Sequence, residues 1–113
     1  MTIKRFETGP RMSQAVVHNG TVYLAGQVAK GATVKDQTTA ILKQIDSLLA
    51  AAGSDKTKLL SATIWLVNMD TFAEMNSAWE PWVSPGNTPA RATVESKLAA
   101  PDYLVEIAVI AAV

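Results

Sequence analysis

Ala15-Val16-Val17-His18-Asn19-Gly20-Thr21-Val22-Tyr23-Leu24-Ala25 is the stretch on which the fold turns. β-Formers flank Asn19-Gly20, a pair that readily supplies the two positive-φ positions of a type I′ turn, so the segment reads as a β-hairpin. Ile3 to Phe6 is expected to add a strand at its edge. Further along, Ile41, Ile45, Leu48 and Ala52 recur at helical spacing within residues 35–52, with Gln37, Lys43, Gln44 and Asp46 on other faces. Gly53 stands where a left-handed cap would end that helix.

The β-branched and aromatic run over 60–68 reads as a buried strand. Asp70 is placed to cap a second helix carrying Phe72, Met75 and Trp79 at spacings of three and four. Pro81 removes a hydrogen bond from its last turn, so this helix is expected to distort or end near Trp79. After a loop over 84–89, residues 91–95 form a short strand and 104–113 a final, almost wholly apolar one. The order β-β-β-α-β-α-β-β specifies an α+β fold, one mixed sheet with both helices on one face. The other face retains apolar side chains, and a second copy of the chain is the simplest cover for them.

At 113 residues the chain is long enough for one domain, spanning 1–113, and too short for two. Apolar residues make up 49% and charged residues 18%, which excludes a disordered chain. Ten Lys+Arg balance ten Asp+Glu, and no basic block exists to track a nucleic-acid backbone, so no nucleic-acid partner is expected. The absence of cysteine removes disulfides, a thiol nucleophile and thiolate metal sites. A single histidine, His18, and no His/carboxylate cluster make an intrinsic metal site unexpected. The N-terminus shows no signal-peptide hydrophobic region, and the final apolar run is too short to span a bilayer. A cytoplasmic protein with no membrane partner is expected.

Glu106 is the most informative single residue, the one charge in Leu104-Val105-Glu106-Ile107-Ala108-Val109-Ile110-Ala111-Ala112-Val113. An isolated carboxylate in so apolar a strand costs several kcal/mol unless it is paired or solvated in a cleft. It either lies in a cleft or marks the strand's exposed start. Arg91 opens the preceding strand. A simple hairpin between 91–95 and 104–113 would set Thr93 opposite Glu106 and Arg91 at a diagonal of roughly 7–8 Å. Arg91 then serves either as bidentate partner to a substrate carboxylate or as a structural ion pair with Glu106. Asn76 interrupts the apolar side of the second helix, where it can hydrogen-bond a loop or a ligand. His18 reads as exposed beside the turn, and Trp65, Trp79 and Trp82 read first as core. No nucleophile elbow or dinucleotide fingerprint occurs.

Several segments, taken in order, resemble the RidA/YjgF (reactive intermediate deaminase) family: Val22-Tyr23-Leu24-Ala25-Gly26-Gln27, the helix from Gln37 through Ile45 to Gly53, Phe72-Ala73-Glu74-Met75-Asn76, Pro89-Ala90-Arg91, and Val105-Glu106-Ile107. The resemblance covers essentially the whole chain. Arg11-Met12-Ser13 and the Trp79/Trp82 pair are similar in particular to its YoaB-like branch. It implies a chorismate-mutase-like fold, a homotrimer with clefts between subunits, and cofactor-free hydrolysis of enamine or imine intermediates to 2-keto acids and ammonia.

By position, the resemblance makes Arg91 the carboxylate-binding arginine, Glu106 the residue that positions or activates water, and Asn76 a cleft residue. An imine carbon is already electrophilic, so orientation and a poised water supply most of what the reaction requires. Thr93 replaces the family's cysteine, with its backbone N–H still available to a ligand. Ala25 replaces a serine. Arg11-Met12 occupies the region of a substrate-facing tyrosine, which adds Arg11 as a candidate contact for a more anionic ligand or as a solvent-exposed arginine. The expected partner is a small imine or 2-keto acid, and the rival reading is a trimer that binds such ligands without turnover. RNA cleavage, attached to parts of the family, is disfavoured by the neutral charge.

Overall fold

In the computed structural model, which describes residues 2–113, β1 (Lys4–Thr8), β2 (Ser13–His18) and β3 (Thr21–Leu24) form an antiparallel meander. Asn19 and Gly20 take φ values of 53° and 74°, the pair of left-handed conformations a type I′ turn requires. Helix α1 (Val34–Ala51) begins where Thr33 accepts a hydrogen bond from the Asp36 backbone N–H, and Gly53 follows it at φ 83°. Strand β4 (Leu59–Leu66), helix α2 (Phe72–Trp82), β5 (Ala90–Glu95) and β6 (Val105–Ala112) complete the chain. The element order and the α+β class are those expected from the sequence. No helix among the described residues is long and apolar enough to cross a membrane.

The six strands lie in the order β1-β2-β3-β6-β4-β5. The hairpin considered for the last two strands does not form. β4, α2 and β5 make a crossover unit, so β5 runs parallel to β4, and β6 returns antiparallel on the other edge of β4. A helix placed between two strands favours that parallel crossover, which leaves β6 to join the two halves of the sheet by pairing with β3 as well.

Both helices cover one sheet face. Alternation along β4 and β6 sends Ile64, Leu66, Ile107 and Val109 into the core, where Ile41, Ile45, Leu49 and Met75 are also fully or almost fully buried. The other face carries Val16, Tyr23, Trp65, Val94, Ala108 and Ile110, paired across the strands and without a covering layer among the described residues. Tyr23 and Val94 are 47% and 43% exposed. Trp65 therefore belongs to the open face and not to the core.

Three local expectations are corrected. Asp70 does not cap α2. Asn68 accepts from the Asp70 N–H and starts a short 3₁₀ turn over Met69–Thr71 that leads into the helix. Pro81 lies inside α2, which runs on to Trp82, because a proline in the last turn forfeits a single bond and the Val83 N–H still reaches the Trp79 carbonyl. Gln37, assigned to a polar face of α1, is fully buried. Its amide donates to the carbonyls of Gly31 and Asp102, and its oxygen accepts from the Leu104 N–H, tying the entry of β6 to α1.

Gln37→Leu keeps the volume and strands three backbone groups. Urea denaturation should show a loss of about 3 kcal/mol, since each unsatisfied buried group costs roughly 1–3 kcal/mol. A loss below about 1 kcal/mol would mean that the loops around Gly31 and Asp102 re-pair without the amide.

Candidate functional site

Arg91 sits near the start of β5, an edge strand, and pairs with Ala62 on the helix-covered face. α2 then supplies its surroundings. The guanidinium carbon lies 5.3 Å from the centroid of the Trp79 ring and 5.6 Å from that of Phe72, within cation–π range of both. Its Nη1 donates to Asn76 Oδ1 at 2.8 Å. Phe72, Asn76 and Trp79 reach one guanidinium because spacings of three and four share a helix face.

Asn76 and Trp79 together fix the orientation of a side chain that would otherwise be free to rotate. Burial beneath α2 lowers the Arg91 pKa from its ordinary value, and the charge of Glu80 opposes that shift. The guanidinium remains a cation at any physiological pH. Its hydrogen bond goes to a neutral amide, so its remaining N–H groups can serve a bidentate anion. A cleft of about 450 Å³ opens beside it, lined by Asn76, Trp79, Glu80, Val83, Thr88 and Arg91 among others.

Thr93 follows two residues later on the same strand face, opposite Ile64. Its Oγ1 is buried and has no hydrogen-bond partner among the described residues. A buried hydroxyl without a partner is costly, so this oxygen is a polar group still to be satisfied next to the arginine strand.

Glu106 pairs with Trp65 and projects from the open face, alternating with the buried Val105 and Ile107. Its carboxylate folds over Gly26. A Cβ built on Gly26 would stand 2.9 Å from the carboxyl carbon and 3.2 Å from Cγ, closer than real Cβ atoms sit to ordinary neighbours. The loop that presents Gly26 is fastened to β6 by reciprocal backbone bonds between Gln27 and Ile107, at 2.8 and 3.1 Å. The Gln27 side chain bonds Gln14 and the Ala25 carbonyl. Glycine next to a strand is a signal of close approach that the sequence does contain, in Ala25-Gly26-Gln27.

Within one chain the sequence-expected residues thus fall into two groups. Arg91, Asn76 and Thr93 gather on the helix-covered side at the β5 edge, whereas Glu106 stands on the opposite face across β4. An Arg91–Glu106 ion pair inside the chain is excluded by that alternation. Arg11 is exposed on the loop between β1 and β2, at the far edge of the sheet from β5. His18 ends β2, paired with Thr21. Trp82 donates to the Asp46 carboxylate on α1 and stacks at a tilt on Trp79, so it braces the wall of the cleft from behind. Glu80 is an addition, and Phe72 and Gly26, named in the sequence only for helix spacing and resemblance, gain a place at the site.

The family model described as endoribonuclease L-PSP matches residues 2–113. The RutC family protein YoaB of Escherichia coli K12 is 44% identical over 114 residues, covering all of both chains. A crystal structure of a YjgF-family protein from Neisseria meningitidis superposes with a TM-score of 0.97 at 48% identity, covering 99% of this chain and 95% of that one. A Yersinia pestis structure described as a conserved Rid-family protein of unknown function gives 0.92 at 31% identity, covering 99% and 100%.

Gly26→Ala tests the placement of Glu106. A crystal structure of the variant should show the carboxylate swung off the loop, with stability changed by no more than about 1 kcal/mol, because the clash is with the far end of a flexible side chain. A carboxylate left in place would show that the loop, and not the side chain, yields.

Proposed function

The chain belongs to the endoribonuclease L-PSP family, also named YjgF or Rid, and on that premise we propose that it hydrolyses 2-imino acids to 2-keto acids and ammonia. One observation carries the reading: Arg91 is held in a fixed orientation by Asn76 and two aromatic rings, with N–H groups left for an anion. An arginine built only for packing has no need of such orientation, whereas a bidentate carboxylate site depends on it.

In this reading the substrate carboxylate docks on Arg91, which brings the C=N carbon to a defined place. Glu106 takes a proton from a water as the water oxygen bonds to that carbon and hands it to the imine nitrogen, which gives a neutral carbinolamine. Glu106 then carries the carbinolamine's hydroxyl proton to the nitrogen as the C–N bond breaks, so that ammonia leaves, the ketone forms and Glu106 is again a carboxylate. Thr93, with its unpaired hydroxyl, supplies a further polar contact along the arginine strand.

Arg91 and Glu106 stand on opposite faces of one sheet, so the proposal requires the two groups to come from different subunits. The open face supports this arrangement. Tyr23, Trp65, Val94 and Ile110 form an uncovered apolar surface, and burying such a surface against copies of the chain in a closed ring is the ordinary route to a symmetric oligomer. The family resemblance makes that ring a trimer. RNA cleavage finds less support, because ten basic residues are balanced by ten acidic ones and the cleft itself contains Glu80.

Glu106→Gln should lower turnover of 2-iminobutyrate by roughly 10²-fold while leaving calorimetric affinity for 2-ketobutyrate within about twofold. Arg91→Lys should lose that affinity, because an ammonium cannot reproduce the guanidinium fork. Unchanged turnover in Glu106→Gln would remove the glutamate from the reaction and favour a trimer that binds the ligand without converting it.

A further inference from the structure

Glu80 is a charged group of the Arg91 cleft that the hydrolysis just described does not use. It lies one helical turn after Asn76 on α2 and lines the same cavity as Arg91, Trp79 and Val83. The cavity therefore carries one cation and one anion on its walls, with apolar surface from Val83 and Pro85 beside them. The two charges do not neutralise each other by contact, because the Arg91 hydrogen bond goes to Asn76. Glu80 is exposed and acts on Arg91 through space, opposing the effect of burial on the guanidinium.

Volume points the same way. About 450 Å³ stands open beside Arg91 in the single chain, more than a four-carbon imino acid fills. A ligand anchored by its carboxylate at Arg91 has room for a longer side chain along Val83 and Pro85, and the charge that side chain meets is negative.

Resting on the reading of Arg91 as a carboxylate site, we propose that this cleft selects 2-imino acids whose side chain ends in a cation, a guanidinium or an ammonium, and that Glu80 is the specificity-determining residue. Methylene groups of such a side chain lie against Val83 and Pro85, and the terminal cation faces Glu80. The same carboxylate rejects acidic side chains by like-charge repulsion, so the preference has both an attractive and a repulsive part. Because Glu80 is exposed, the discrimination is a few-fold and is weakened by salt.

Calorimetry with three 2-keto acids tests the proposal without depending on turnover. The wild-type protein should bind 2-oxo-5-guanidinopentanoate about fivefold more tightly than 2-ketobutyrate, and 2-oxoglutarate about fivefold more weakly, at low salt. Glu80→Gln should bring the three affinities together, and Glu80→Lys should reverse their order. Both substitutions fall on an exposed helix position and leave the core untouched. Equal affinities in the wild type, or an order that Glu80→Gln leaves unchanged, would overturn the charge selection alone. In that case 2-ketobutyrate would still bind and would still be lost in Arg91→Ala. Failure of all three acids to bind would overturn the Arg91 carboxylate site and this proposal with it.

Discussion

Side chains alternate from face to face along a strand, and in β4, β5 and β6 that alternation sets Arg91 beneath α2 and Glu106 on the uncovered side. The register cannot slip by one residue without turning Ile64, Leu66, Ile107 and Val109 out of the core. Hydrophobic burial on one face therefore determines where the two charged groups stand on either side of the sheet. Neither group is free to seek the other within its own chain.

Each group is then secured locally. Arg91 is gripped from α2, and α2 is braced by Trp82 on Asp46 and by Glu74, which accepts from the Lys35 N–H at the start of α1. Glu106 rests on Gly26, in a loop locked to β6 through Gln27, while Gln37 ties the entry of β6 to the first turns of α1. The two halves of the proposed site thus hang on one helix–sheet core. In the proposed trimer, the apolar open face that holds the subunits together also carries Glu106, so assembly and completion of the cleft become one event.

Much of this was legible in the chain itself. Asn19-Gly20 specified its hairpin because few other pairs accept two left-handed residues, and the spacing of Ile41, Ile45 and Leu48 specified α1 because tertiary packing rewards that face. Strand order was not legible. Residues 91–95 and 104–113 are adjacent strands in sequence, and nothing local announces that β4 lies between them. Gln37 looked polar because its three partners are backbone groups from distant loops, which leave no pattern near residue 37. Arg91, Asn76 and Glu106 stood out as isolated polar groups in apolar settings, but their distribution over two faces depended on the register of a third strand. Gly26 hinted at a close approach beside its strand, but what approaches it, like the place of Glu80, became known only from their neighbours in space.

The central claim is that a working cleft takes its arginine from one chain and its glutamate from another. Arg91→Ala and Glu106→Gln, each impaired alone, can be unfolded, mixed in equal amounts and refolded together, and the 2-iminobutyrate turnover of the mixture measured. In a randomly assembled oligomer, half of the arginine positions and half of the glutamate positions are intact, so about one cleft in four carries both groups. The account predicts recovery to about a quarter of wild-type activity, and activity that stays at the level of the separate variants would contradict it.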